Sequence, residues 1–203
     1  VAINYTDLAS VKLALHLSTT DSVDDTVLNA LMTTASRQVD EYCDRYFGRL
    51  GTSEEPQERL YRVRTRNLVL TDDIVEVVDV LVDYTGYAQT FTSLGADSVI
   101  PSPVNAANGS IPFPYTALQT VPSTVLAMPP GWVKVIGVFG WPEVPSAVKQ
   151  ATLLQTIRLF KTRDVPLGLV GGADSLGVLR LPGGLHPDAR MLLEPFKRMT
   201  AFA

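Results

Sequence analysis

Two histidines, one cysteine, two pairs of adjacent carboxylates and three evenly spaced arginines are the residues of this chain whose types could do chemistry. His16 and His186 stand far apart in sequence, and neither has a nucleophile or a second ligand type at motif spacing beside it. A His-based triad or a multi-histidine metal site therefore has no local support. Asp24-Asp25 and Asp72-Asp73 are the right groups for general acid–base work, but the first pair reads as a helix start and the second as a turn. Cys43 has no second cysteine to pair with, and among Val39, Tyr42 and Tyr46 on a helical pattern it reads as a packing residue. No Gly-x-x-x-x-Gly-Lys phosphate cradle occurs, and the glycines of 168–177 do not match Gly-x-Gly-x-x-Gly. The chain thus reads as a non-enzyme without cofactor or metal. Arg62, Arg64 and Arg66 alternate with Tyr61, Val63 and Thr65, so a strand would carry three guanidinium groups on one face, ~6.6 to 7 Å apart. Such a row suits an acidic partner or the phosphates of passing DNA. It equally suits a solvated edge strand that resists aggregation.

Composition narrows the class. With 46% hydrophobic and 19% charged residues, the chain is ordinary globular material and not a disordered tail. A net charge of −4 and a pI near 5.1 argue against a protein whose task is to grip nucleic acid, because that affinity comes from counterion release against a basic surface; transient passage of DNA remains allowed. No apolar run approaches the ~18 residues of a membrane span, and the N-terminus, with Asn4 and Asp7 and no basic lead, does not read as a signal peptide. The expectation is a soluble, intracellular protein with no membrane partner.

The elements that must position these residues are organised around 132–164: an apolar strand at 132–139, a Gly140-Trp141-Pro142 break, and a long helix. Pro145 suits a first helical turn, and 146–163 contain no further Pro or Gly, which predicts about five turns. Val148, Ala151 and Leu154 fall on one flank of that helix and Leu153, Ile157 and Phe160 on another. Lys149, Thr152, Thr156 and Arg163 are left as a narrow polar strip. A helix buried on two sides needs two partners. One is the protein's own bundle; the other is either more core or a neighbouring copy, for which Gln150, Gln155 and Arg158 are suited.

Before this unit, Thr6 is expected to cap a short helix carrying Leu8, Val11 and Leu15. Ser22 and Asp25 make a capping-box-like start for a longer helix with the stripe Leu28, Leu31, Ala35, Val39, Tyr42, Tyr46, stopped by Gly48 and Gly51. From Arg59 the period changes to two, and 74–82 read as a strand covered on both faces. Prolines make 94–130 the least regular stretch, interrupted by short strands such as 120–126. After the central helix comes a glycine-rich tail, with one strand at 178–181 and a short helix opening at Pro187, and with too little apolar surface to fold by itself. The fold class expected is α+β, a small helical bundle with an inserted β-rich domain and an extended C-terminal tail. Its parts are 1–57, N-terminal helices; 58–140, β-rich insertion; 141–164, central helix; and 165–203, tail.

The order short helix, long helix, β insertion, helix, loose tail resembles the head-to-tail connector proteins, also called adaptor or head-completion proteins, of long-tailed bacteriophages and phage-like particles. The likeness is carried by Thr-Asp-Leu-x-x-Val-Lys from Thr6, and by Val-Asp-Glu-Tyr-Cys-Asp-Arg-Tyr-Phe ending at Phe47. It is carried further by Ile-Val-Glu-Val-Val-Asp-Val-Leu-Val-Asp from Ile74, and above all by the strand ending Gly-Trp-Pro, followed by Val-Pro-x-x-Val-Lys-Gln-Ala and a helix closing Lys-Thr-Arg-Asp. The resemblance implies a virion protein of the neck, assembled in the host cytoplasm. It implies a homo-oligomeric ring, a dodecamer, under the portal protein, extending the DNA channel and offering its far side to a stopper or tail protein. On that reading Val148, Ala151, Leu154, Ile157, Arg158 and Phe160 lie between subunits, and Arg62, Arg64 and Arg66 meet a partner or double-stranded DNA. Leu179, Leu181, Met191, Leu192, Phe196, Lys197 and Arg198 dock on the portal. The alternative is a bacterial ligand-binding or scaffold domain with a β module.

Overall fold

The computed structural model describes residues 3–63, 65, 67–109, 112–121, 131–163, 169–170, 179–180 and 184–198. The described residues form an α+β fold with four α-helices and a large antiparallel sheet, and the chain divides into two compact units, 1–45 with 144–203 and 46–143.

The first unit holds the helices α1 (Leu8–Ala14), α2 (Asp25–Cys43), α3 (Ser146–Thr162) and α4 (Pro187–Leu193). Asp7, not Thr6, caps α1: its carboxylate accepts from the backbone N–H and the hydroxyl of Ser10, both at 2.8 Å. Helix α2 ends at Asp44, which takes the left-handed conformation at φ 50°, well before the glycines expected to stop it. Its buried residues are Leu28, Met32, Ala35, Ser36, Val39 and Cys43, so the expected Leu31 and Tyr42 yield to Met32 and Cys43. Ser36 is tolerated inside because its hydroxyl donates to Met32 O at 2.8 Å and accepts from Tyr5 N–H at 3.2 Å.

Helix α3 begins and ends within one residue of expectation, yet its buried face is different. Val148, Ala151, Thr152, Gln155 and Thr156 are buried, at i, i+3, i+4, i+7, i+8. Thr152 and Thr156, expected on the polar strip, donate their hydroxyls to Val148 O (2.9 Å) and Thr152 O (2.8 Å). Each threonine satisfies its own polar atom inside the helix and offers the interior a methyl group. Gln155 is held at both ends, donating to Gln38 Oε1 at 2.7 Å and accepting from His186 N–H at 2.8 Å.

Residues 184–198 of the tail pack on the helices of their own unit. Leu185, Ala189, Leu193 and Phe196 are buried, and polar ties reinforce them. Arg198 N–H reaches Cys43 O at 2.8 Å, Tyr42 OH reaches Glu194 at 2.8 Å, and Arg158 reaches Gly184 O at 2.6 Å. Ala189 and Leu193 lie four apart on the buried side of α4, which Pro187 opens at its first position, with Leu185 just before the helix and Phe196 just after it. Strands β8 (Leu169–Val170) and β9 (Leu179–Arg180) pair as a small ribbon.

The described residues of the second unit form a sheet of seven strands: β1 (Arg49–Leu50), β2 (Gln57–Val63), β3 (Leu68–Asp83), β4 (Thr92–Ser93), β5 (Val99–Ser102), β6 (Tyr115–Thr120) and β7 (Gly131–Gly140). The order is β1-β7-β3-β6-β5, with β2 also on β7 and β4 also on β3. In β7 the odd positions Val133, Val135 and Phe139 enter a core with Val63, Val69, Ile74, Val80, Val82, Val99 and Leu118, as period two demands. Two expectations change here. Residues 74–82 are not covered on both faces, since Glu76 and Val78 are exposed. Asp72-Asp73 lie inside β3 rather than in a turn. The β3–β7 register slips twice, and at one slip Gly137 admits the other strand so closely that a Cβ would stand 2.3 Å from Glu76 O.

Candidate interaction surfaces

Several of the groups singled out for chemistry have structural roles. His186 caps α4, accepting from Asp188 N–H at 3.2 Å. Cys43 is fully buried, and burial, with the nearby Asp40 carboxylate second, pushes its thiol up to about 12. Asp72 accepts from Arg59 at 2.6 Å and Asp73 from the Trp141 indole at 3.0 Å. Among the described residues there is no group of three or more His, Cys, Asp or Glu placed to hold a metal, and no helix long and apolar enough to cross a membrane.

The residues expected between subunits divide by burial. Val148 and Ala151 belong to the interior of their own unit. Phe160, with Leu153, packs on Val11, Leu28 and Met32, and the Arg163 guanidinium lies 4.2 Å from its ring centre. Leu154, Ile157 and Arg158 are half-buried and Gln150 is exposed, so α3 keeps a partly open side with two aliphatic residues on it. At the start of the same helix a groove of about 390 Å³ is lined by Asn4, Thr6, Ser10, Lys149, Gln150 and Leu153.

Of the arginine row, Arg62 is exposed on β2, opposite Trp132 of β7 and 6.0 Å from the indole centre. Arg64 and Arg66 lie outside the described residues. Of the tail residues, Met191 is 76% exposed, Leu192 half-buried and Phe196 buried. The Lys197 ammonium sits 4.7 Å from the Tyr42 ring centre, and Arg198 is tied through its backbone to Cys43. The backbone of Leu179 is in β9, and Leu181 lies outside the described residues.

Local sequence reading gave no sign of a polar clasp on the N-terminal segment. Tyr5 OH donates to Asp40 at 2.5 Å, Arg37 pairs with Asp40 at 2.8 Å and donates to Ile3 O at 2.9 Å, and the guanidinium stands over the Tyr5 ring. Desolvation raises the Asp40 carboxyl to about 6, outweighing the Tyr5 bond and the Arg37 charge, which both pull it down. The i, i+3 spacing of Arg37 and Asp40 was visible; their partner, more than thirty residues upstream, was not.

No family description and no curated protein matches the sequence. Solved structures do. A chain in the neck of an empty gene transfer agent (GTA) particle, computed with C6 symmetry, aligns at a TM-score of 0.57 and 15% identity, over 98% of this chain and 90% of that one. A chain of the virion of a native gene transfer agent particle aligns at 0.53, with the same identity and coverage. An α+β chain with this order of helices, inserted sheet and returning C-terminal helix therefore shares its fold, over nearly its whole length, with proteins of gene transfer agent particles.

Proposed function

We propose that this chain is a structural head–tail connector subunit of a tailed phage or phage-like particle. It forms a homo-oligomeric ring under the portal protein, extends the DNA channel and receives the next neck or tail protein. The observation that carries the reading is the fold shared with a neck chain over 98% of this one. The rest of the molecule is consistent with it. His186 caps α4, Cys43 is buried in packing, and Asp72 and Asp73 are tied to Arg59 and Trp141. A weakly acidic chain lets DNA slide past without binding it.

In this reading the helices form the bundle of the ring, and the half-buried Leu154, Ile157 and Arg158 of α3 face the neighbouring subunit. The exposed Met191 and Lys197 contact the portal, while the buried Phe196 holds the tail in place. Arg62 meets an acidic partner loop or passing phosphates. The protein resides in the virion neck after assembly in the host cytoplasm. Deleting the gene from a particle-producing strain tests this: filled heads without attached tails are expected, and normal tailed particles would refute it. Ile157→Asp should reproduce the deletion while leaving the far-UV circular dichroism of the purified chain unchanged.

A further inference from the structure

The chain holds five asparagines, Asn4, Asn29, Asn67, Asn105 and Asn108, and only Asn108 is followed by glycine. The side-chain amide of an asparagine is open to attack by the backbone nitrogen of the next residue, and a glycine there puts no Cβ in the way. At the other four positions that nitrogen is tied or crowded. Tyr5 N–H donates to Ser36 Oγ at 3.2 Å, Ala30 lies inside α2, Leu68 opens β3 opposite Gln119, and Ala106 N–H donates to Pro103 O at 3.0 Å. The side chains of Asn29 and Asn4 are also held, the first donating to Asp25 O at 2.9 Å and the second accepting from Thr33 at 3.1 Å.

Asn108 closes a short 3-10 helix, Ala106–Asn108, in the connection between β5 and β6, and both it and Gly109 are exposed. A further turn would set Gly109 N–H on the carbonyl of Ala106, but that carbonyl accepts instead from Phe113 N–H at 2.9 Å. Among the described residues neither the Asn108 side-chain amide nor Gly109 N–H has a hydrogen-bond partner. Bringing the two together therefore breaks no bond of the fold.

We propose that Asn108 is a site of spontaneous deamidation in the folded protein. Gly109 N, having given its proton to hydroxide, bonds to Asn108 Cγ; the Cγ–N bond of the side-chain amide breaks, and ammonia leaves with a proton from water. Water then opens the resulting succinimide at either carbonyl, leaving aspartate or isoaspartate at position 108. One water is consumed and one ammonia released, with no oxidant or reductant. Either product puts a negative charge into 85–132, where Asp97 is the only charged residue. Isoaspartate also adds a methylene to the backbone between Ala106 and Phe113, whose mutual hydrogen bond closes that segment. The inference stands independently of the connector reading.

Peptide mapping by mass spectrometry of the purified full chain, incubated in mildly acidic and mildly alkaline buffer, tests it. Asn108 should gain the mass of amide-to-acid conversion at least about tenfold faster than the other four asparagines, faster still in the alkaline buffer, and with isoaspartate among the products. That comparison needs no variant. Gly109→Ala, at φ −76° and ψ 167° where any residue is at ease, should keep its circular dichroism and slow the conversion by at least about tenfold. In urea the rate at Asn108 should change by less than about tenfold, because the fold does not shield it. An Asn108 that stays intact, that converts no faster than Asn4, Asn29, Asn67 and Asn105, that keeps its rate in Gly109→Ala, or that converts only in urea would each overturn the proposal.

Discussion

The indole N–H of Trp141 donates to Asp73 Oδ2 at 3.0 Å, with both side chains buried. It joins the residue that follows β7 to the middle of β3, and the same ring packs on Phe47 and Phe113 at centroid distances of 5.0 and 5.3 Å. Trp141→Phe keeps a ring in place and removes the donor. A hydrogen bond to a charged acceptor contributes about 1.5–3 kcal/mol, so urea denaturation should show a loss of that size. A change within about 0.5 kcal/mol would mean that the pairing adds nothing to packing.

Gly140 stands at φ 98°, and a Cβ there would lie 1.8 Å from Gly48 O. Gly95 also has positive φ, 78°, but a Cβ on it would meet nothing within 4 Å. Gly95→Ala should therefore cost only the backbone term, about 1–2 kcal/mol. Gly140→Ala should cost that and a backbone collision that forces β1 off β7, visible as lost protection of 49–50 and 139–140 in hydrogen exchange. Equal stabilities for the two variants would contradict this account.

Asp40 gives the first unit a pH dependence of defined sign. Its carboxyl is raised by desolvation from the ordinary 3.8 to about 6, so between those values the folded chain holds a proton that the unfolded chain has released. Stability from this group is fully present below about pH 4 and is lost as pH rises through about 6. Asp40→Asn cannot titrate. Thermal melts from pH 4 to 8 should show the wild type falling relative to the variant up to about pH 6 and then running parallel to it. A constant difference throughout would show that the carboxyl is not shifted.

How much of this was legible in the sequence depended on the range of the forces involved. The bounds of α3 follow from local terms, Pro145 at its start and no Pro or Gly thereafter, and the chain bears them out to within a residue. The face it buries does not follow, because a threonine that bonds back to its own helix is polar on paper and apolar in the core, as Thr152 and Thr156 are. Asp72 and Asp73 read as a turn because two adjacent carboxylates are unfavourable in a strand; the alternation of β3 separates them, and Arg59 and Trp141, distant in sequence, satisfy one each. The return of 184–198 onto its own unit was hidden for the same reason: its partners are Cys43, Tyr42 and Arg158. Of the candidate contact residues, Met191 is exposed, while Val148, Ala151 and Phe196 are buried.

The central claim is that this chain is a stoichiometric part of a particle neck, and quantitative mass spectrometry of purified particles against the portal protein tests it most directly. A fixed ratio matching a closed ring of subunits per portal, retained through density-gradient purification and in high salt, is predicted. Absence of the chain from particles, or an amount that falls with each purification step, would contradict it.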